Sequence, residues 1–427
     1  MNLNTLHPRD QILRNINRIY QNAMTTTSGG NVSILDRKGR IWITPSRKDK
    51  GTLTRDDIVC VEPDGTYAGE LPPSSEFPFH KAIYEVRPDI KAIIHAHPPG
   101  LVSFSMIGAV PNTKITPKCH RICGEPAFAP YALPGSDELG QSIAQEFAKS
   151  PDVRTVILEN HGVVVGAGNM DGAFKLFESL DFSARTQIKA SALGEVRDIA
   201  GHGFEYDRPE LKYGLLAHEP NEEELEDRTQ MVAFNRRAYQ QRLFNSTEGI
   251  IAMRQEDGGF LVSPKYTDRI FMEIEDLVYV KEGFMERGKR ASDSCPLHEA
   301  IFAKNPDINT VIISTPPNAM AFCVTGTPFE TRTIPESWIL LQDPPMISLD
   351  TLYNDSEHVA KLIQDGFPVI LVENDSVITV GTSLLEAFDR LEVLEYSAKA
   401  LIDAQRLGPL KSIGEKEIDD LRTAFLS

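Results

Sequence analysis

The sequence predicts an α/β protein in which one domain is written twice. Three observations carry that reading. Amphipathic helical stripes alternate with short apolar runs of strand length. A stretch of the first half, Pro78 to Gly108, reappears in the second half without a gap. Between the halves, Gly201 to Glu226 is polar, acidic and proline-bearing, and reads as a linker.

The 427 residues suffice for two or three domains, and 41% hydrophobic with 25% charged residues is ordinary for a globular chain. A net charge of −17 spread along the chain argues against nucleic acid and against anionic membrane surfaces as partners. No apolar run reaches membrane-spanning length, and Met1-Asn2-Leu3-Asn4 leads into no signal-peptide core. The five cysteines are odd in number and lack a framework spacing, so free thiols in a reducing compartment, the cytoplasm, are expected.

Taken in order, Asp10 to Met24 carries a helical stripe of Ile12, Leu13, Ile16, Ile19 and Tyr20. Thr25 to Asn31 is a polar turn. Val32 to Leu35 and Arg40 to Thr44 read as a hairpin around Asp36–Gly39. Asp57 to Val61 is a further short strand. Ser74-Ser75-Glu76 opens a helix with Pro78 in its first turn, and Pro88 ends it by disfavouring a helical Arg87. Ile90 to Ile94 is a buried strand that delivers His95 and His97 on one face. Leu101 to Ile107 reads as helix, Pro111 to Pro134 as loop, and Asp137 to Lys149 as helix. Strands at Thr155–Glu159 and Val163–Val165 flank Asn160-His161-Gly162, and a long helix runs from about Met170 to Leu193.

The second half then repeats this order. Pairing Pro78–Gly108 with Pro296–Gly326 gives 12 identities in 31 pairs. Glu373-Asn374 matches Glu159-Asn160, and Ala387-Phe388 matches Ala173-Phe174. The expected domains are residues 1–205 and 220–427. The copies part at the polar positions. Glu76 faces Ser294, His95 faces Ile313, His97 faces Thr315, His161 faces Asp375 and Gly30-Asn31 faces Gly249-Ile250, whereas His80 and His298 are both kept. Loss of these groups together marks Glu76, His95, His97 and His161 as one working unit and His80 as framework.

Three imidazoles can hold a divalent ion such as zinc, and three protein ligands leave a position open for substrate. Glu76 alone would read as a first-turn glutamate favoured by the helix dipole. Beside a metal it becomes a candidate base for a proton next to a polarised carbonyl. Ser74 and Ser75 are helix caps that also place donors at a helix N-terminus, where anions bind, and Asn31 and Ser46 can add to them. Cys119, His120 and Cys123 lack a fourth partner and read as ordinary loop residues.

Together these residues resemble the class II aldolase/adducin family, typified by L-fuculose-phosphate aldolase, over about residues 9 to 195. The motifs are Ser28-Gly29-Gly30-Asn31-Val32-Ser33, Ile43-Thr44-Pro45-Ser46, Ser74-Ser75-Glu76 with His80, His95-Ala96-His97, Ala129-Pro130-Tyr131 with Pro134-Gly135, and Asn160-His161-Gly162. The resemblance implies tandem α/β/α sandwiches with mainly antiparallel sheets, the second lacking the metal ligands. It implies Zn2+ or another divalent metal on His95, His97 and His161, and Glu76 as the catalytic acid–base. It implies substrate phosphate held by Asn31, Ser46, Ser74 and Ser75. The implied reaction is retro-aldol cleavage of a small sugar or sugar phosphate through an enediolate, the work of an aldehyde-lyase. Three features depart from the family. Arg47 stands where a glycine is usual and could fork an anion, no tyrosine falls near Ile115 or Thr116, and the domain is doubled. The missing glycine and tyrosine keep open a related metal-dependent dehydratase or decarboxylase acting on a non-phosphorylated acid; against the other alternative, an adducin-like scaffold, stands the intact set of the first copy. A homo-oligomer, dimer or tetramer, is expected, with the degenerate domain as the neighbouring wall.

Overall fold

The structure, a computed structural model, describes residues 3–199 and 211–426. The chain forms two compact units. One comprises residues up to Lys114 together with Lys118–Arg185; the other comprises Ile115–Pro117 and Thr186–Ser427.

The first unit runs α1 (Pro8–Gln21), β1 (Asn31–Leu35), β2 (Ile41–Ile43), β3 (Val59–Val61), α2 (Phe77–Val86), β4 (Ala92–Ala96), α3 (Pro99–Met106), α4 (Pro117–Cys123), β5 (Ala127–Ala129), α5 (Asp137–Ala148), β6 (Thr155–Leu158), β7 (Gly162–Ala167) and α6 (Met170–Ala190). Its seven strands lie in the order β3-β2-β1-β4-β7-β6-β5. Every pairing is antiparallel except β5 with β6. Strand residues alternate between the two faces, and each face has its own core. Val32, Ile94 and Val163 pack with Ile12, Ile16 and Ile19 of α1 and with Phe174 and Phe177 of α6. Ile43, Ile93 and Val164 pack with Phe79 and Ile83 of α2 and with Ile143 and Phe147 of α5. Helices therefore cover both faces of a mainly antiparallel sheet, as expected.

The second unit runs β8 (Gly214–Leu216), α7 (Glu222–Gln240), β9 (Ile250–Arg254), β10 (Phe260–Val262), β11 (Val278–Lys281), β12 (Phe284–Glu286), α8 (Cys295–Lys304), β13 (Thr310–Ser314), α9 (Pro317–Thr325), α10 (Pro335–Leu341), β14 (Met346–Ile347), α11 (Leu349–Asn354), α12 (Ser356–Gln364), β15 (Val369–Val372), β16 (Val377–Gly381), α13 (Leu384–Gln405) and α14 (Glu415–Phe425). Its sheet order is β14-β15-β16-β13-β9-β10-β11-β12-β8. The central register repeats that of the first unit: Ile250 stands opposite Ile313 where Asn31 stands opposite His95.

Four expectations need correction. The strand before the histidines is Ala92–Ala96, so His95 lies inside the ladder and His97 just past it. Helix α2 starts at Phe77, and its N-cap is Glu76, which makes no side-chain capping bond; Ser74 and Ser75 lie before the cap. The loop-rich stretch from Pro111 holds a short helix, α4, and an edge strand, β5. Of the expected linker, residues 201–210 lie outside the described residues. Its remainder contributes β8, parallel to β12, and the first turn of α7, whose Asn221 cap accepts from Glu224 N.

Candidate metal centre and active site

Adjacent central strands build the site. In β1–β4 pairing Asn31 faces His95, and in β4–β7 pairing His95 faces Val164. His161 sits in the tight β6–β7 turn, where Asn160 takes the left-handed conformation at φ +54°, one that Asn tolerates better than most side chains. Two glycines let His97 approach the backbone. A Cβ on Gly29 would lie 2.7 Å from His97 Nδ1, and one on Gly162 would lie 2.6 Å from both His97 Cδ2 and Ala96 O.

The structure brings His95, His97 and His161 together, with one ring nitrogen of each within 4.8 Å of the others. His95 is fully buried. Its Nδ1 lies 3.0 Å from Val163 O. A carbonyl only accepts, so Nδ1 carries the hydrogen and the Nε2 lone pair faces the centre. His97 Nε2 is 3.0 Å from that Nε2. Glu76 leans in from α2, with Oε2 3.3 Å from His95 Nε2 and Oε1 3.6 Å from His161 Nε2. Burial, reinforced by the neighbouring imidazoles, pushes His95 and His97 down to about 3. Burial also lowers His161, against the pull of Glu76. All three rings are thus neutral near pH 7, the form that ligates.

These residues fit a divalent cation. Neutral ring nitrogens and a carboxylate converge on one point, and Glu76 Oε1 is a buried oxygen without a hydrogen-bond partner. A buried anionic oxygen left so is costly unless a cation joins it. Among the described residues this is the one such cluster of three. Cys119 and Cys123 instead lie in the core from α4, outside any disulfide.

The expected anion-binding residues divide into two groups. Loops 44–46 and 72–74 pair: Ser46 N donates to Pro72 O, Ser74 N donates to Thr44 O, and Pro45 bridges Pro73. Ser46, Arg47, Ser74 and Ser75 therefore lie along one rim. Ser74 Oγ accepts from Glu76 N. Arg47 is exposed and held at φ +56°, the conformation a glycine would take without strain. Asn31 is committed inward. Its Nδ2 donates to Glu76 Oε2 at 2.7 Å, and its Oδ1 accepts from His80 Nε2.

Two residues of this site escape a reading of the sequence. His80, assigned to framework, holds the Glu76 carboxylate through Asn31, and its Nδ1 meets Ser33 Oγ at 2.7 Å. Full burial and His95 push it down to about 3. Lys50 is 3% exposed and lies under the Ser46–Arg47 loop, donating to Pro45 O and Lys48 O. Burial lowers its pKa.

The second unit shows how the same frame looks without this chemistry. Thr315, in the place of His97, donates to Glu248 at 2.9 Å. Ser294, in the place of Glu76, meets His298 Nε2 at 2.9 Å. Lys265 and Asp293 stand where Ser46 and Ser75 stand, and pair at 2.7 Å across the rim.

Two regions of the chain, residues 10–188 and 229–402, match the class II aldolase and adducin N-terminal domain family. Among similar proteins is a 5-deoxy-D-ribulose 1-phosphate aldolase of Bacillus thuringiensis, 29% identical over 201 residues, covering 44% of this chain and 87% of that protein. A 3-oxo-tetronate 4-phosphate decarboxylase of Haemophilus influenzae is 28% identical over 195 residues, covering 43% and 91%. An L-fuculose phosphate aldolase of Methanococcus maripaludis is 30% identical over 163 residues, covering 38% and 86%. With both halves matched and the histidine cluster in the first, this chain belongs to the class II aldolase and adducin N-terminal domain family.

Proposed function

We propose that the first unit is a metal-dependent aldehyde-lyase that cleaves a small sugar or sugar phosphate by retro-aldol chemistry. The observation that carries this reading is the convergence of His95, His97 and His161 beside the Glu76 carboxylate. His95, His97 and His161 would hold the ion, zinc by the all-nitrogen donor set. Bound there, a divalent ion supplies Lewis acidity toward the substrate carbonyl. The chain's own groups do the rest. The substrate hydroxyl proton passes through water to Glu76, the carbon–carbon bond breaks to release an aldehyde, and its electron pair passes into an enediolate. Glu76 returns a proton to the enediolate carbon, and in synthesis removes it. Asn31 and His80 hold that carboxylate in place. Ser46, Arg47, Ser74 and Ser75 offer donors along the rim for a substrate phosphate or other anion.

Decarboxylation is the second reading, supported by the similarity to the 3-oxo-tetronate 4-phosphate decarboxylase. Loss of carbon dioxide beside a carbonyl leaves the same kind of carbanion for Glu76 to protonate. Zinc-loaded protein should be assayed with ketose 1-phosphates for aldehyde release and with 3-oxo-tetronate 4-phosphate for carbon dioxide release. Glu76→Gln is expected to lower turnover on the active substrate by at least about 100-fold, in the range of general acid–base effects, with metal content unchanged. Equal turnover in Glu76→Gln would remove Glu76 from the chemistry.

A further inference from the structure

The segments that follow the two long helices are themselves a repeat. After α6 the chain reads Leu193-Gly194-Glu195-Val196-Arg197-Asp198-Ile199. After α13 it reads Leu407-Gly408-Pro409-Leu410-Lys411-Ser412-Ile413, at the 214-residue offset that also relates Ala173-Phe174 to Ala387-Phe388. Leucine, glycine and isoleucine recur, with an aliphatic residue and then a basic one at matching places.

The first of these tails has a seat in the second unit. Arg197 N donates to Val324 O at 2.8 Å, and Arg197 O accepts from Asn374 Nδ2 at 3.0 Å. The Arg197 guanidinium lies 3.4 Å from Glu373 Oε1. Leu193 and Val196 pack on the core that contains Met320, Phe322 and Val324. The seat, the end of α9, is closed to solvent: Val324 is 0% exposed and Thr325 7%.

The same seat exists in the first unit and is bare. Asn160 and Asn374 share φ +54°. Their amides donate to equivalent carbonyls, Ser105 O at 3.3 Å and Cys323 O at 3.2 Å. Yet Met106 and Ile107, the counterparts of Val324 and Thr325, are 65% and 74% exposed. The second tail is exposed from Leu407, at 90%, through Ser412, and is tied at its end, where Ile413 N donates to Arg332 O at 2.6 Å.

We propose that Leu407–Lys411 of one chain docks on the Met106–Ile107–Asn160 face of a second copy of this chain, as Leu193–Arg197 seats on α9. Asn160 Nδ2 then donates to the incoming Lys411 O, and the Lys411 ammonium faces Glu159. Two chains exchanging tails satisfy both faces and close the assembly, as a twofold pair does. Because Asn160 adjoins His161, each candidate metal centre borders the partner chain. The inference rests on the repeat, and stands or falls apart from the proposed reaction.

Light scattering on the full chain at micromolar concentration should give the mass of two chains. L407D/L410D, placed on exposed residues, should halve that mass while the circular dichroism melt stays put. As a second measurement, M106C and K411C proteins, each in a C60S background, are mixed and oxidised. The mixture should yield a disulfide-linked pair that neither yields alone. A parent of single-chain mass overturns the proposal. Where mass and the aspartate variant disagree, the link decides, and its absence overturns the proposal.

Discussion

At the scale of single residues, the site is a set of neutral imidazoles kept neutral by burial. That has a sign-definite consequence for the metal-free protein. His80, His95 and His97 are pushed to about 3 in the fold, whereas each takes a proton near pH 6.5 once unfolded. Below pH 6.5 the unfolded chain binds more protons, so stability falls as pH falls, by about 1.4 kcal/mol per pH unit for each imidazole. In the presence of a chelator, the urea midpoint should hold between pH 8 and 7 and drop steeply from pH 6 to 5. His97→Gln should make the drop shallower. A midpoint flat to pH 5 in both proteins would contradict this account. Residue identity carried much of the site in the sequence alone, because His95, His97, His161 and Glu76 differ between the copies. It failed for His80, because conservation between copies hides a change of partner: Asn31 in one and Ser294 in the other. Lys50 was hidden for another reason. A lysine in the run Arg47-Lys48-Asp49-Lys50 reads as solvated surface until the chain curls over it and puts carbonyls at its ammonium.

At the scale of elements, the site depends on how tightly the end of β4 meets the start of β7. Gly162 opens β7 where a methyl group would strike both Ala96 O and the His97 ring. Gly162→Ala should therefore push His97 outward, weaken zinc binding by tenfold or more, and cost about 1–3 kcal/mol of stability, the range for overpacking. Competitive titration with a zinc chelator and thermal melts would check both. Unchanged zinc affinity would mean that His97 has room the structure does not show. Long periodic segments, α1, α5 and α6, were readable from spacing. Strand β8 was not, because its partner β12 lies about seventy residues on and its own three residues carry no pattern. The caps before α2 were misplaced by the proline rule: Pro78 marks the first turn but leaves open which residue precedes it.

At the scale of the whole molecule, two frames of one design hold, among the described residues, one cluster of three side chains able to ligate a metal, that of the first unit. Full-length protein saturated with zinc and freed of excess should therefore hold one ion per chain, read by elemental analysis, and none after His95→Ala with His97→Ala. Two ions per chain would mean that the second unit binds metal through groups other than imidazole. The opposed strands also set the two units apart. Asn31 and His95 face each other in one unit, and Ile250 and Ile313 in the other. Where one unit holds a polar pair, the other holds an apolar pair. Restoring histidine alone at position 313, which is 7% exposed, would bury an imidazole without its partner, at about 1–3 kcal/mol. The full set needs Asn, Glu and three His together. Each such substitution made alone costs stability before the set is complete, so no single substitution builds a second centre in this frame.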